Sequence, residues 1–143
     1  MLKSSILIFV LLFSSSTFAT QQYGNAVVSE VISIYDGDTF RVNLSNFPNL
    51  IGKNIPIRIN GVDTPEMRGK CEKEKELARA AKQFTVAKLR AAKVIELKDM
   101  VRGKYFRIVA DVYLDGMSLS QLLLEKGHAI RYDGGKKNIS WCD

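Results

Sequence analysis

"NIPIRINGVDTPE", Asn54 to Glu66, changes character halfway along. Its first half places Ile55, Ile57 and Ile59 on one face and Arg58 on the other. That period of two is the pattern of a half-buried strand. Its second half sets two carboxylates, Asp63 and Glu66, around Thr64 and a rigid Pro65. Acids and prolines are common at surface turns, where they solvate well. This chain is basic, however, with a formal net charge of +6 and a pI near 9.4. Fixed acids at a stiff turn beside a strand arginine therefore call for a reason beyond solvation.

Working outward, four more strand-like runs flank this one. "NAVVSEVISIY" (Asn25 to Tyr35) is rich in β-branched residues. "TFRVNL" (Thr39 to Leu44) puts Phe40, Val42 and Leu44 on one face, and Asp36-Gly37 between these two runs is a hairpin signal. "KVIELK" (Lys93 to Lys98) is the fourth. "FRIVADVYL" (Phe106 to Leu114) is the fifth, with Phe106, Ile108, Ala110, Val112 and Leu114 expected inward and Arg107 outward.

Two helices are expected. The first, Glu72 to Ala92, offers an apolar stripe at Leu77, Ala81, Phe84, Ala87 or Lys88, and Ala91. Acids near its start and bases near its end suit the helix dipole. The second, Leu119 to Lys126, has a capping-box pattern at Ser118 and Gln121, a staple pair in Met117 and Leu122, and Gly127 as a terminator. The order of three strands, helix, two strands, helix suits a small Greek-key barrel of the oligonucleotide/oligosaccharide-binding (OB) kind. An open α+β sheet fits the same order.

The chain of 143 residues has the size of one domain. Lys3, the apolar run "ILIFVLLF" (Ile6 to Phe13) and the small residues of "SSSTFAT" read as a signal peptide over residues 1–19, cleaved after Ala19. The run is too short to span a bilayer as a helix, and no later segment is apolar enough to do so. The expected mature domain, residues 20–143, loses only one basic residue with the signal. A basic exported domain favours polyanions: nucleic acid, anionic lipid or cell-wall polymer. Export also favours a disulfide, and Cys71 and Cys142 allow one intramolecular pairing. It would tie the C-terminus to the region just after the acidic turn. No CxxC or Cys/His cluster suggests a cysteine metal site.

Three acids could act together. Asp38 of "DGDTF" begins a strand directly after a tight turn, and Asp63 and Glu66 lie just past the end of another. If those strands are neighbours, the acids converge at one rim. Hard cations such as Ca²⁺ or Mg²⁺ take carboxylate and carbonyl oxygens. Asp38 and Asp63 are natural direct ligands, with a backbone carbonyl of the Asp-Thr-Pro turn nearby. The spaced acids of an EF-hand are absent. Arg58 and Arg107 project from polar strand faces, where such groups can hold phosphate oxygens and stabilise developing charge. His128 is the sole histidine and follows Gly127, so a helix-end or surface role is expected and a two-histidine nuclease or zinc hydrolase is excluded. There is no Ser–His–acid pattern and no phosphate-cradling glycine-rich loop. Tyr132 and Trp141 carry rings able to stack on a base, but their place near the C-terminus points to packing.

Together "DGDTF" (Asp36 to Phe40), "RINGVDTPE" (Arg58 to Glu66), "KYFR" (Lys104 to Arg107) and "LLLEKGHAIRY" (Leu122 to Tyr132) resemble the staphylococcal-nuclease-like, or thermonuclease, family. The resemblance covers about Val27 to Tyr132. It implies an α+β, mainly β fold: a five-stranded OB-fold barrel with two helices. It implies a Ca²⁺-dependent phosphodiesterase, endo- or exonuclease, that acts on DNA and RNA with little sequence specificity and leaves 3′-phosphates. By the same resemblance Asp38, Asp63 and the carbonyl of Thr64 would bind Ca²⁺. Glu66 would orient or deprotonate the attacking water. Arg58 and Arg107 would grip the scissile phosphate, and Lys104 and Tyr105 would contact the terminal phosphate of the nucleotide.

The expected protein is a periplasmic or secreted monomer, free of the membrane after signal removal. Two departures from the family pattern stand out. Phe106 replaces the glycine usual between the tyrosine and arginine of "YGR". The chain also ends soon after Tyr132, where the best-known members continue into a third helix; the tail "YDGGKKNISWC" with its disulfide would replace that anchor. The rival readings are a non-catalytic OB-fold nucleic-acid-binding protein and an exported domain binding cell-wall or lipid anions. The full set of three acids and two arginines favours an enzyme.

Overall fold

The computed structural model of the chain describes residues 21–137 and 139–143; the expected signal, residues 1–19, lies outside the described residues. In order the elements are β1 (Ala26–Ile34), β2 (Thr39–Leu44), a four-residue helix α1 (Asn49–Gly52), β3 (Ile55–Ile59) and β4 (Val62–Asp63). There follow α2 (Glu72–Ala91), β5 (Ile95–Arg102), β6 (Ile108–Leu114), β7 (Met117–Ser118), α3 (Leu119–Glu125) and β8 (Ile130–Arg131). Hydrogen bonding runs β3-β2-β1-β5-β6, and β3 also pairs in parallel with β6, so five strands close into a mixed barrel. Closure leaves the barrel strands no long free edge. β7 adds to β6, and the two-residue strands β4 and β8 pair apart from the barrel.

The strand alternation that defined β2 and β3 builds the core. Phe40, Val42, Leu44, Ile57 and Ile59 are buried, joined by Leu97, Ala110, Val112 and Leu114 from β5 and β6. Leu119 and Leu123 of α3 are buried in the same cluster. Ser118 caps that helix by accepting from the Gln121 backbone N–H at 3.4 Å, as the capping-box pattern requires. Met117, expected to staple against Leu122, is exposed instead. Gly127, at φ +69, ends the helix, and the ring of the half-buried His128 lies 5.0 Å from that of Phe84, the helix-end role expected of it.

Helix α2 turns a different face inward from the one its leucine and phenylalanine suggest. Glu74, Ala78, Ala81, Thr85 and Leu89 are buried, Leu77 and Phe84 only half so, and Ala87 and Ala91 are exposed. The helix lies tight across the turn between β1 and β2, where there is room only for small side chains. A Cβ on Gly37 would stand 2.9 Å from that of Ala81 and 2.8 Å from Thr64 Cγ2. The Thr85 hydroxyl donates to the Gly37 carbonyl at 2.7 Å, satisfying two polar groups inside this contact.

The second difference is at Phe106. β6 begins at Ile108, and Lys104–Phe106 forms a short 3₁₀ turn that leaves Phe106 82 % exposed rather than inward. Arg102 pairs with Ile108, and the Gly103 N–H donates to the Arg107 carbonyl at 2.8 Å, so the chain doubles back here. Tyr105 and Phe106 take φ +56 and +58. That left-handed region favours glycine, so Phe106 holds a conformation an L-residue adopts at a steric cost.

Cys71 and Cys142 are joined by a disulfide with 6.0 Å between their Cα atoms, the single pairing that cysteine arithmetic allows. Among the described residues no helix is long and apolar enough to cross a membrane.

Candidate metal and phosphate site

The β1–β2 turn, the end of β3 and the β4 turn meet at one rim of the barrel. The Ile59 N–H donates to the Asp38 carbonyl at 2.9 Å, which fixes β3 against the turn. Gly37 lets the turn lie against Thr64 and Ala81, and so aims Asp38 into the rim. Asp38 Oδ2 accepts from the Thr64 backbone N–H at 2.8 Å, and Oδ1 accepts from the Thr39 hydroxyl at 3.1 Å. Arg58 binds two acids at once: Nη1 pairs with Asp38 Oδ1, and Nη2 lies 2.9 Å from Asp63 Oδ1. Its Nη2 also donates to the Val62 carbonyl at 3.3 Å. The expected convergence of Asp38, Arg58, Asp63 and Thr64 is therefore present.

Asp38 and Asp63 are each 1 % exposed, whereas the Glu66 side chain is 51 % exposed. The inner pair is sealed by protein and Glu66 faces water. Lys137 bridges the two zones, with Nζ 3.0 Å from Asp63 Oδ1 and 2.9 Å from Glu66 Oε1.

Burial sets the electrostatics. Asp36, whose carboxylate accepts from the Asp38 N–H at 3.1 Å, is pushed up to about 7, first by burial and then by the charge of Asp38. Burial also raises Asp38, while Arg58 and the Thr64 N–H pull it back. Burial alone would weaken the Arg58 charge, but Asp38 and Asp63 outweigh it and hold the guanidinium protonated. The rim thus gathers Asp38, Asp63 and Glu66, with Asp36 behind them, against two cations, Arg58 and Lys137.

That imbalance and the donor set fit a hard divalent cation. Two carboxylates and the backbone of Thr64 offer only oxygen, as Ca²⁺ prefers. The Thr64 hydroxyl oxygen is buried there without a hydrogen-bond partner. A different group, Cys71, Glu74 and Cys142, brings sulfur and oxygen atoms within 4.8 Å of one another. Its two sulfurs are bonded to each other, so no thiolate remains to hold a metal.

Arg58, Glu66, Lys104, Arg107, Tyr132 and Lys137 line one open cleft of about 430 Å³. Arg107 is half-buried, and its guanidinium carbon lies 5.7 Å from the centre of the Tyr105 ring. Tyr105 itself is exposed and lines the neighbouring hollow with Arg107. Arg107 and Lys104 are thus brought to the same cleft as Arg58 and Glu66, and Tyr105 to its edge.

Three participants are absent from the sequence reading of the site: Asp36, Glu74 and Lys137. Asp36 reads as a turn residue and Glu74 as a helix-start acid. Glu74 is buried and accepts from the Glu66 and Lys70 N–H groups at 3.3 and 2.9 Å, bolting the acidic turn to α2. Nothing in the spacing of Lys137 marks it, because the disulfide and the β4–β8 pairing place it.

The family model described as "Staphylococcal nuclease homologue" matches residues 56–140, more than half of the chain. The matched segment begins at Pro56 and so includes Arg58, Asp63, Glu66 and Arg107. Among curated proteins none matches the chain.

Proposed function

The chain belongs to the staphylococcal nuclease family, and from that premise we propose that it is an exported, monomeric Ca²⁺-dependent nuclease that hydrolyses DNA and RNA with little sequence preference. The observation that carries this reading is the Arg58 fork across Asp38 and Asp63 at the floor of a cleft whose wet edge holds Glu66. Asp38, Asp63 and the Thr64 carbonyl would hold the ion, which when bound neutralises phosphate charge and polarises the phosphoryl group.

The remaining work falls to side chains of this protein. A guanidinium has five N–H donors in a planar fork, so Arg58 can keep its acids and still offer a donor to a phosphate oxygen. Arg107, across the cleft, supplies the second grip and balances the charge that grows on the phosphoryl oxygens in the transition state. Glu66, open to water, orients or deprotonates the attacking water. Lys104 and Tyr105 take the terminal phosphate. Breaking the bond from phosphorus to O5′ leaves a 3′-phosphate.

Lysines around the cleft give a sequence-independent, salt-sensitive attraction. The signal-like residues 1–19 and the disulfide support export of residues 20–143 to an oxidising compartment, periplasmic or extracellular. Digestion of DNA and RNA in Ca²⁺, with and without EGTA, tests the reading. Cleavage is expected to vanish in chelator and return with Ca²⁺. Full activity in chelator would remove the ion from the reading. Binding without cleavage under every condition would transfer it to a non-catalytic nucleic-acid-binding barrel.

A further inference from the structure

Lys137 reaches the rim from the tail, outside every motif that places the acids. The tail is pinned at both ends close to those acids. At one end β8 pairs with β4, setting Ile130 opposite Asp63, and the Tyr132 N–H donates to the Gly61 carbonyl at 3.0 Å. At the other end Cys142 is bonded to Cys71, the N-cap of α2, and Lys73 Nζ donates to the Asp143 backbone carbonyl. Between them the Tyr132 hydroxyl donates to the Gly135 carbonyl at 2.7 Å, and the Gly135 N–H donates to the Asp133 carboxylate at 3.0 Å. These bonds close a tight turn just before Lys137. Chain outside the barrel is thereby held across the mouth of the site.

The lysine contact differs from an ordinary surface pair. One partner, Asp63, has a side chain only 2 % exposed, so its negative charge has little water to turn to. An ammonium 3.0 Å from that oxygen stands where a divalent ion bound to Asp63 would meet strong repulsion. We propose that Lys137 is a tethered counter-ion of the metal site: it seats on Asp63 and Glu66 while no divalent ion is bound, and it must swing out for one to enter. The tail then sets the affinity for the ion. This rests on the calcium reading of the site and adds a residue that opposes the ion.

Calorimetric titration of Ca²⁺ into the wild type, Lys137→Met and Lys137→Arg tests it, alongside thermal unfolding of each protein in EGTA and in Ca²⁺. Lys137→Met is expected to bind Ca²⁺ about tenfold tighter, as one opposing charge at close range is removed. Lys137→Arg is expected to stay within about twofold of the wild type, since it keeps that charge. In EGTA, Lys137→Met is expected to melt below the wild type, because Glu66 loses its partner and the buried Asp63 keeps only Arg58, and to show the larger rise in Tm on adding Ca²⁺. Unchanged or weaker Ca²⁺ binding by Lys137→Met would overturn the inference and leave the calcium site standing. Binding by none of the three proteins would overturn the calcium reading, and the inference with it.

Discussion

The floor and the rim of this site are built by different means. The floor, Asp38, Arg58 and Asp63, sits just before β2, at the end of β3 and on β4; both acids are sealed and Arg58 is largely covered. The rim, made of Glu66, the Lys104–Phe106 turn and Lys137, stands on irregular chain open to water. On the floor each group is locked by several partners, so removing one disturbs the fold as well as the chemistry. On the rim, Glu66 and the Lys104–Phe106 turn can be changed with little cost to folding. Function and stability should therefore separate at the rim and move together on the floor.

The sharpest break of this contrast is Arg58→Ala. It leaves Asp38 and Asp63 buried beside each other without their guanidinium, and loss of one partner from a buried pair costs about 3–5 kcal/mol. Urea unfolding in the absence of divalent ion is expected to show that loss, together with a fall in turnover of two or more orders of magnitude. A variant as stable as the wild type would mean that the floor does not depend on its ion pairs. Glu66→Gln tests the opposite half. It is expected to lower kcat by roughly two to four orders of magnitude if Glu66 acts as a general base, with the unfolding midpoint nearly unchanged. A loss of Ca²⁺ affinity with kcat restored at saturating ion would show instead that Glu66 is a ligand.

The strand period made the barrel and most of the floor legible. Alternation in β2 and β3 gave the inward residues, and the turn chemistry of Asp36-Gly37 and Asp63 to Pro65 gave the places where acids could meet. The same period misplaced Phe106, because Phe106, Ile108 and Ala110 continue an alternation that the backbone abandons at Arg107. The buried face of α2 was hidden for another reason. Close approach selects alanine, threonine and glycine, which carry little hydrophobic signal. Lys137 was illegible because its position depends on a covalent tie between residues 71 apart in sequence.

Phe106→Gly sharpens the contrast from the rim side. An L-residue in the left-handed region carries a penalty of about 1–2 kcal/mol, while glycine loses roughly 0.5–1 kcal/mol through its freer unfolded chain. Phe106 is 82 % exposed, so little packing is lost. A gain of up to about 1 kcal/mol is expected in denaturant unfolding. A clear destabilisation would show that the ring, near the Arg102 guanidinium at 5.7 Å, holds the turn.

The smallest effect is expected far from the site. The Asp115 carboxylate accepts from the Val94 and Lys93 N–H groups at 2.8 and 3.1 Å, which lowers it below the ordinary value of 3.8. A group depressed on folding stabilises fully above its unfolded value and loses that contribution as pH falls through its folded one. Asp115→Asn is expected to melt slightly below the wild type at neutral pH, with the gap closing in acid below 3.8. A gap that persists into strong acid would place the effect in hydrogen-bond geometry and not in charge.

The bolt formed by Glu74 bears on how the acidic turn breathes. The amides of Glu66 and Lys70 lie in irregular chain, yet both donate to a buried carboxylate on the first turn of α2, immediately after the disulfide residue Cys71. A Cβ on Gly69 would collide with that carboxylate at 2.5 Å, so the segment has no slack to shift sideways. In hydrogen exchange these two amides would be slow for a loop, and would open only when the start of α2 opens with them. Turn and helix start then form one cooperative unit. The timescale on which Glu66 leaves its place is accordingly that of helix fraying at a covalently anchored end, not that of a free surface loop.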